Sequence, residues 1–161
     1  MSDAPVRVAA ANAAVRAAPA FLEALGLGSC VAIIVWDAER RVGGLAHVLL
    51  PEPAPRRSIP APARYATTAV PALLASLRGL GSDGPLVATL VGGAGMFGEM
   101  LKVRGVHMGE RNVEAARAAL ADAGVPIIAE DVLGGHARSV RFSVADGRVA
   151  VRTLAHGARV L

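Results

Sequence analysis

The sequence predicts an α+β, layered α/β domain with hairpin-rich mixed sheets and two main helices, and three observations lead there. Val140, Phe142 and Val144 alternate, Asp146-Gly147 supplies a turn, and Val149 and Val151 alternate back, the pattern of a β-hairpin. "CVAIIVW" (30–36), a polar "DAER" and "RVGGLAHVLL" (41–50) make a second hairpin, apolar enough to be buried. Two segments have helical spacing instead, Tyr65, Ala69, Leu73 and Leu77 in one and Val113, Ala116 and Leu120 in the other. Strands arranged in hairpins exclude a doubly wound parallel sheet.

The elements between these follow from punctuation. Prolines 51, 53, 55, 60 and 62 exclude helix and central strand, so residues 51–63 are expected as a surface loop. The first helix is expected from Arg64 to Arg78, with Pro71 early in it or kinking it. "PLVATLVGG" (85–93) reads as a buried strand ending in glycine, and "VPIIAED" (125–131) as a shorter one. Asn112 is a good N-cap for the second helix and Gly124 stops it. With 161 residues, no internal repeat and no linker, residues 1–161 are expected to form one domain.

Composition limits the class. At 53 % hydrophobic the chain is not disordered, and no stretch reaches the roughly 18 apolar residues of a membrane helix, so no membrane insertion is expected. The alanine-rich start, Ala9 to Phe21, ends in "APA" like a cleavage site, but Arg16 interrupts it and no basic run precedes it, so it is not read as a leader. One cysteine forms no internal disulfide, and a cytoplasmic location is expected. Net charge is +4, from arginines spread between Arg7 and Arg159 plus Lys102, with Arg40–Arg41 and Arg56–Arg57 the tight pairs. Aromatics at 3 % are too few to stack on bases, and no zinc spacing or recognition helix appears, so nucleic acid is not expected as a partner. A basic face meeting an acidic protein explains the charge equally well.

Cys30, at the end of "LGLGSC", is the residue on which function turns. A nucleophilic cysteine needs thiolate character and access. Gly26 and Gly28 allow close backbone approach, and amides at Ser29 or Cys30 are candidates to hold an oxyanion. A turn near residues 37–40 folds Leu49 or its neighbours back beside Cys30, which permits His47 to come within reach. On residue types alone a lone cysteine opening an apolar strand is more often a small buried hydrophobe, and His107, His136 and His156 are not chemically distinguished from His47.

The order of motifs adds to this. "LGLGSCVAIIVWD…VGGLAHVLLP", then "RYATTAVPALL", "VGGAGMF" and "GERNVEAARAALADAGVPIIAEDVLGGHARSVRF" resemble, collinearly and over nearly the whole chain, the CheD family of chemoreceptor glutamine deamidases. The resemblance implies a CheD-like three-layer sandwich, a cysteine nucleophile at Cys30 and a histidine base and acid at His47, with no metal or organic cofactor. It implies as partners the cytoplasmic helices of chemotaxis receptors and a CheC-type phosphatase bound at the active-site face. One position departs: the family's third catalytic residue, a threonine six positions before the cysteine, is here Ala24. Another acceptor must then orient the imidazole, a backbone carbonyl or one of Ser29, Thr67 and Thr68, or the chain is a catalytically weak or inactive binding protein.

"GAGMFG" (93–98) fits the glycine pattern of a dinucleotide loop, but no helix is expected to start there and Glu114 falls within a helix, so it is read as a tight turn near the active site. "GGHAR" supplies Gly134, Gly135 and Arg138, which correspond to a family segment and read either as a turn with an anchoring arginine near the substrate groove or as a purely structural turn. Gly92, Gly93 and Arg138 are the candidates for a substrate groove.

Overall fold

A computed structural model describes residues 4–56, 58–95, 102–103 and 106–161, with the backbone alone for Lys102, Val103 and Val106. The strands are β1 (Val6–Arg7), β2 (Ala13–Ala17), β3 (Phe21–Leu27), β4 (Val31–Asp37), β5 (Val42–Val48), β6 (Val87–Gly92), β7 (Lys102–Val103), β8 (Val106–His107), β9 (Ile127–Val132), β10 (Arg138–Ser143), β11 (Val149–Thr153) and β12 (Gly157–Val160). The helices are α1 (Ala66–Gly79), entered through a 3₁₀ turn at Pro62–Arg64, and α2 (Met108–Asp122). Two five-stranded mixed sheets form, the outer one in the order β1-β3-β10-β11-β12 and the central one in the order β2-β5-β4-β6-β9, while β7 pairs with β8.

The three layers follow from which way alternate side chains point. On β4, Val31, Ile33 and Val35 join Ala69, Leu73 and Leu77 of α1 and Val113, Ala116 and Leu120 of α2 in one core. Ala32 and Ile34 point the other way, into a second core with Leu22, Ala24, Val140, Phe142, Val149 and Val151 of the outer sheet. The central sheet is therefore covered on both faces, and all seven residues of β5 are buried. Gly43 and Gly44 let it be covered so closely: a Cβ at Gly43 would stand 2.6 Å from the Phe142 ring, and one at Gly44 2.7 Å from Leu73.

Both expected hairpins form: β4 and β5 pair from Val31↔Val48 to Asp37↔Val42, and β10 and β11 pair through Val140↔Val151 and Phe142↔Val149. The first helix begins two residues later than expected, and Pro71 lies in its interior on the exposed side, where its missing N–H faces no core partner. The N-cap expected at Asn112 is corrected. The second helix starts at Met108 with His107 as its N-cap, five residues before the expected one, and Asn112 is wholly buried inside it. Its start is set by packing: Gly109 sits so close to the backbone at Gly93 that a Cβ there would be 2.4 Å from the Gly93 carbonyl oxygen. Gly124, at a φ of +71°, does end that helix. Among the described residues no helix is long and apolar enough to cross a membrane.

Candidate active site

Cys30 immediately precedes β4, and extending the hairpin register by one pair sets it opposite Leu49. His47 pairs directly with Ala32, so Cys30 and His47 are diagonal neighbours on one face of the sheet, about 7–8 Å apart at the backbone. That face is the one turned toward the outer sheet, where Cys30 packs with Ala32 and Ile34 against the inter-sheet core. Cys30 is a free, half-buried cysteine, and His47 is 5 % exposed.

His47 is fixed by the N-terminal segment. Its N–H donates to the Asn12 carbonyl at 2.9 Å and its carbonyl accepts from the Ala11 N–H at 2.9 Å. Its Nδ1 lies 3.0 Å from the Val8 carbonyl oxygen. A carbonyl only accepts, so in the neutral ring Nδ1 carries the proton and Nε2 is left as the acceptor. Val8 is in turn held by its N–H donating to the Glu23 carbonyl of β3 at 2.8 Å. Ala24, next along β3, is wholly buried opposite Val140 and offers no polar side chain.

Three successive carbonyls tie down the loop of residues 28–30. Gly28 accepts from the Ala94 N–H at 2.8 Å, Cys30 accepts from the Gly93 N–H at 2.8 Å, and Ser29 between them accepts from the Asn112 side-chain amide at 2.8 Å. Gly92, at a φ of +116°, allows this approach, since a Cβ there would be 2.3 Å from the Cys30 carbonyl oxygen. The Ser29 and Cys30 N–H groups donate to no backbone oxygen among the described residues. Burial pushes the Cys30 thiol above its ordinary pKa, an effect only partly offset by its own main-chain N–H turned toward the sulfur. At neutral pH the group is therefore a thiol that must lose its proton to react.

The structure thus brings Gly28, Ser29, Gly92 and Gly93 together with Cys30, the two later glycines lying buried against the loop. Arg138 meets this region through its backbone, which pairs with Leu27, and Gly134 accepts from the Gly95 N–H. The Arg138 guanidinium is spent on Asp131, at 2.9 Å, and on the His136 carbonyl at 3.2 Å. Residues 96–98 of the glycine motif lie outside the described residues. Of the stand-in acceptors weighed for Ala24, Thr68 bonds instead to the Pro62 carbonyl at 2.5 Å, and the backbone carbonyl is the one that meets the imidazole. Sequence reasoning did not reach Val8, a main-chain oxygen with no residue-type signal. It also missed Asn112 as a site residue, although a polar side chain spaced four and eight residues from Ala116 and Leu120 on an apolar helix face was a usable sign.

Comparison with known proteins places the chain in a family. The family described as CheD chemotactic sensory transduction matches residues 49–153. The probable chemoreceptor glutamine deamidase CheD of Desulforamulus reducens is 34 % identical over 160 residues, covering 99 % of this chain and 96 % of that protein. The chemoreceptor glutamine deamidase CheD of Thermotoga maritima is 39 % identical over 140 residues, 86 % of this chain and 85 % of that one. The probable chemoreceptor glutamine deamidase CheD 2 of Geobacter metallireducens is 43 % identical over 138 residues, 84 % of this chain and 85 % of its own. Similarity of this extent, on a layered fold of the kind expected, makes the chain a member of the CheD family.

Proposed function

We propose that this chain is a cytoplasmic protein-glutamine glutaminase that converts glutamines of chemotaxis receptors to glutamate, with Cys30 as nucleophile and His47 as general base and then acid. The observation that carries the reading is the Val8 carbonyl on His47 Nδ1, which leaves Nε2 free on the face that Cys30 shares. It supplies the acceptor that Ala24 lacks.

The Cys30 thiol gives its proton to His47 Nε2 as sulfur bonds to the carboxamide carbon. The oxyanion forms beside the Ser29 and Cys30 N–H groups, which donate to no backbone oxygen among the described residues. The carbon–nitrogen bond then breaks, imidazolium protonates the leaving ammonia, and a thioester remains. Water, losing a proton to the same imidazole, splits the thioester into glutamate and free thiol. Gly92 and Gly93 support this loop from beneath, and Arg138 with Asp131 braces the neighbouring edge of the groove. A CheC-type phosphatase is the candidate protein partner at this face.

The test is mass spectrometry of a chemoreceptor cytoplasmic fragment incubated with the wild-type protein and with Cys30→Ala. The wild type should add about one dalton at particular glutamines, the change from amide to acid, and Cys30→Ala should add none. Binding of the fragment without any mass change by the wild type would leave the rival reading, a non-catalytic receptor-binding protein, which Ala24 alone favours. A second check is pH. Because the thiol is held above its ordinary value, its alkylation by iodoacetamide should still be rising with pH where an ordinary cysteine has levelled off.

A further inference from the structure

Asn112 is wholly buried in the first half of α2, and its one amide nitrogen donates to two carbonyls, Ser29 at 2.8 Å and Leu49 at 2.9 Å. Ser29 precedes the nucleophile, and Leu49 lies two residues beyond His47, across from Cys30 in the extended register. The side chain therefore ties together the two strands at the open end of the hairpin, where the ladder itself has ended. Its Oδ1 is buried with no hydrogen-bond partner among the described residues. Turning the amide over would set that oxygen against two carbonyls, so the side chain is committed to donating.

The peptide between Ser29 and Cys30 carries the Ser29 carbonyl at one end and the Cys30 N–H at the other, pointing opposite ways. Pulling the carbonyl toward α2 turns the N–H toward the outer sheet, the side to which the Cys30 and His47 side chains point. We infer that Asn112 is a positioning residue of the deamidase site, holding the Ser29–Cys30 peptide so that the Cys30 N–H faces the thiol and the developing oxyanion, and fixing the nucleophile strand against the base strand. This rests on the glutaminase reading for its catalytic consequence, but not for its effect on the thiol. The partial lowering of the thiol by its own N–H agrees with that orientation.

The experiment compares Asn112→Leu, which keeps the volume, with Leu120→Ala, which removes core packing two turns along the same helix. Iodoacetamide alkylation of Cys30 is followed against pH, and kcat and KM are measured on the receptor fragment. Asn112→Leu should move the alkylation profile to higher pH and lower kcat about 10²-fold with KM little changed, the scale expected when a reacting group shifts by an ångström. Leu120→Ala should leave the profile where it is. Asn112→Ala is read in the same way should the first variant fail to fold. A wild-type profile and kcat in a folded Asn112 variant, an equal shift in Leu120→Ala, or failure of both Asn112 variants to fold would each overturn the inference. If the wild type deamidates nothing, the glutaminase reading fails, while the alkylation profile still decides the role of Asn112.

Discussion

The two sheets differ in what covers them. The central sheet lies between the helices and the outer sheet, and its middle strands carry no exposed residue. The outer sheet buries Val140, Phe142, Val149 and Val151 on one face and leaves Arg141 and Arg152 to solvent on the other. Cys30 and His47 belong to the covered sheet, while the carbonyl that orients His47 arrives from the edge of the uncovered one. The two proposed catalytic side chains thus sit on the more covered sheet, and the contact to the His47 ring comes from a segment laid across it.

The contrast is broken most severely at Phe142, the largest of the wholly buried side chains between the sheets. Phe142→Ala should cost about 3–5 kcal/mol by urea denaturation, whereas Arg141→Ala, its neighbour on the open face, should cost about 1 kcal/mol or less. A subtler intrusion into the same layer is Gly43→Ala, whose new methyl meets the Phe142 ring. A loss of about 1–3 kcal/mol is expected, and Phe142→Leu in the same chain should recover part of it. Additive losses in the double variant would show that the two residues do not share that space.

Much of this architecture was legible in the chain. The β10–β11 hairpin alternates because one face is wet, and β4 and β5 run apolar because neither face is. The inner face of α1 was spelled by Ala69, Leu73 and Leu77, with Tyr65 at its N-cap, all buried. Strands β1, β2 and β3 were not read: alanine is a poor strand former, and Ala13–Ala17 alternates too weakly to be seen. Four exposed residues make up β12, so no buried face marks it in the sequence. Asn112 was misread because asparagine is a favoured cap, and nothing local shows that its partners lie 63 and 83 residues away. That Cys30 and His47 lie on neighbouring strands could be read, since it depends on the hairpin, but the Val8 carbonyl beside His47 could not.

The smallest expected effect sharpens the comparison at a buried carboxylate in each sheet. Glu23 of the outer sheet is reached by two exposed arginines, Arg7 and Arg141. Asp37, at the end of β4, is fully buried and relies on the Arg40 N–H at 2.9 Å and the Ser82 hydroxyl at 2.6 Å. Burial alone would raise its pKa, but these hydrogen bonds outweigh it and hold the carboxyl below its usual value. Stability from Asp37 is therefore complete above an unfolded pKa of about 3.9 and is lost as pH falls through the folded value. Asp37→Asn should cost about 1 kcal/mol at pH 7, and the gap to wild type should close in acid; a gap that is the same at every pH would mean the carboxylate charge contributes nothing.

The Val8 contact has a consequence for how this protein can vary. An orienting group made of main chain is not encoded by any codon, so no single amino-acid replacement deletes it. Position 24 is thereby released from supplying a hydroxyl and can be filled for packing alone. A saturation screen for activity should therefore find intolerant positions at Cys30 and His47 and among the residues that set the path of segment 6–12, with small apolar replacements accepted at position 24.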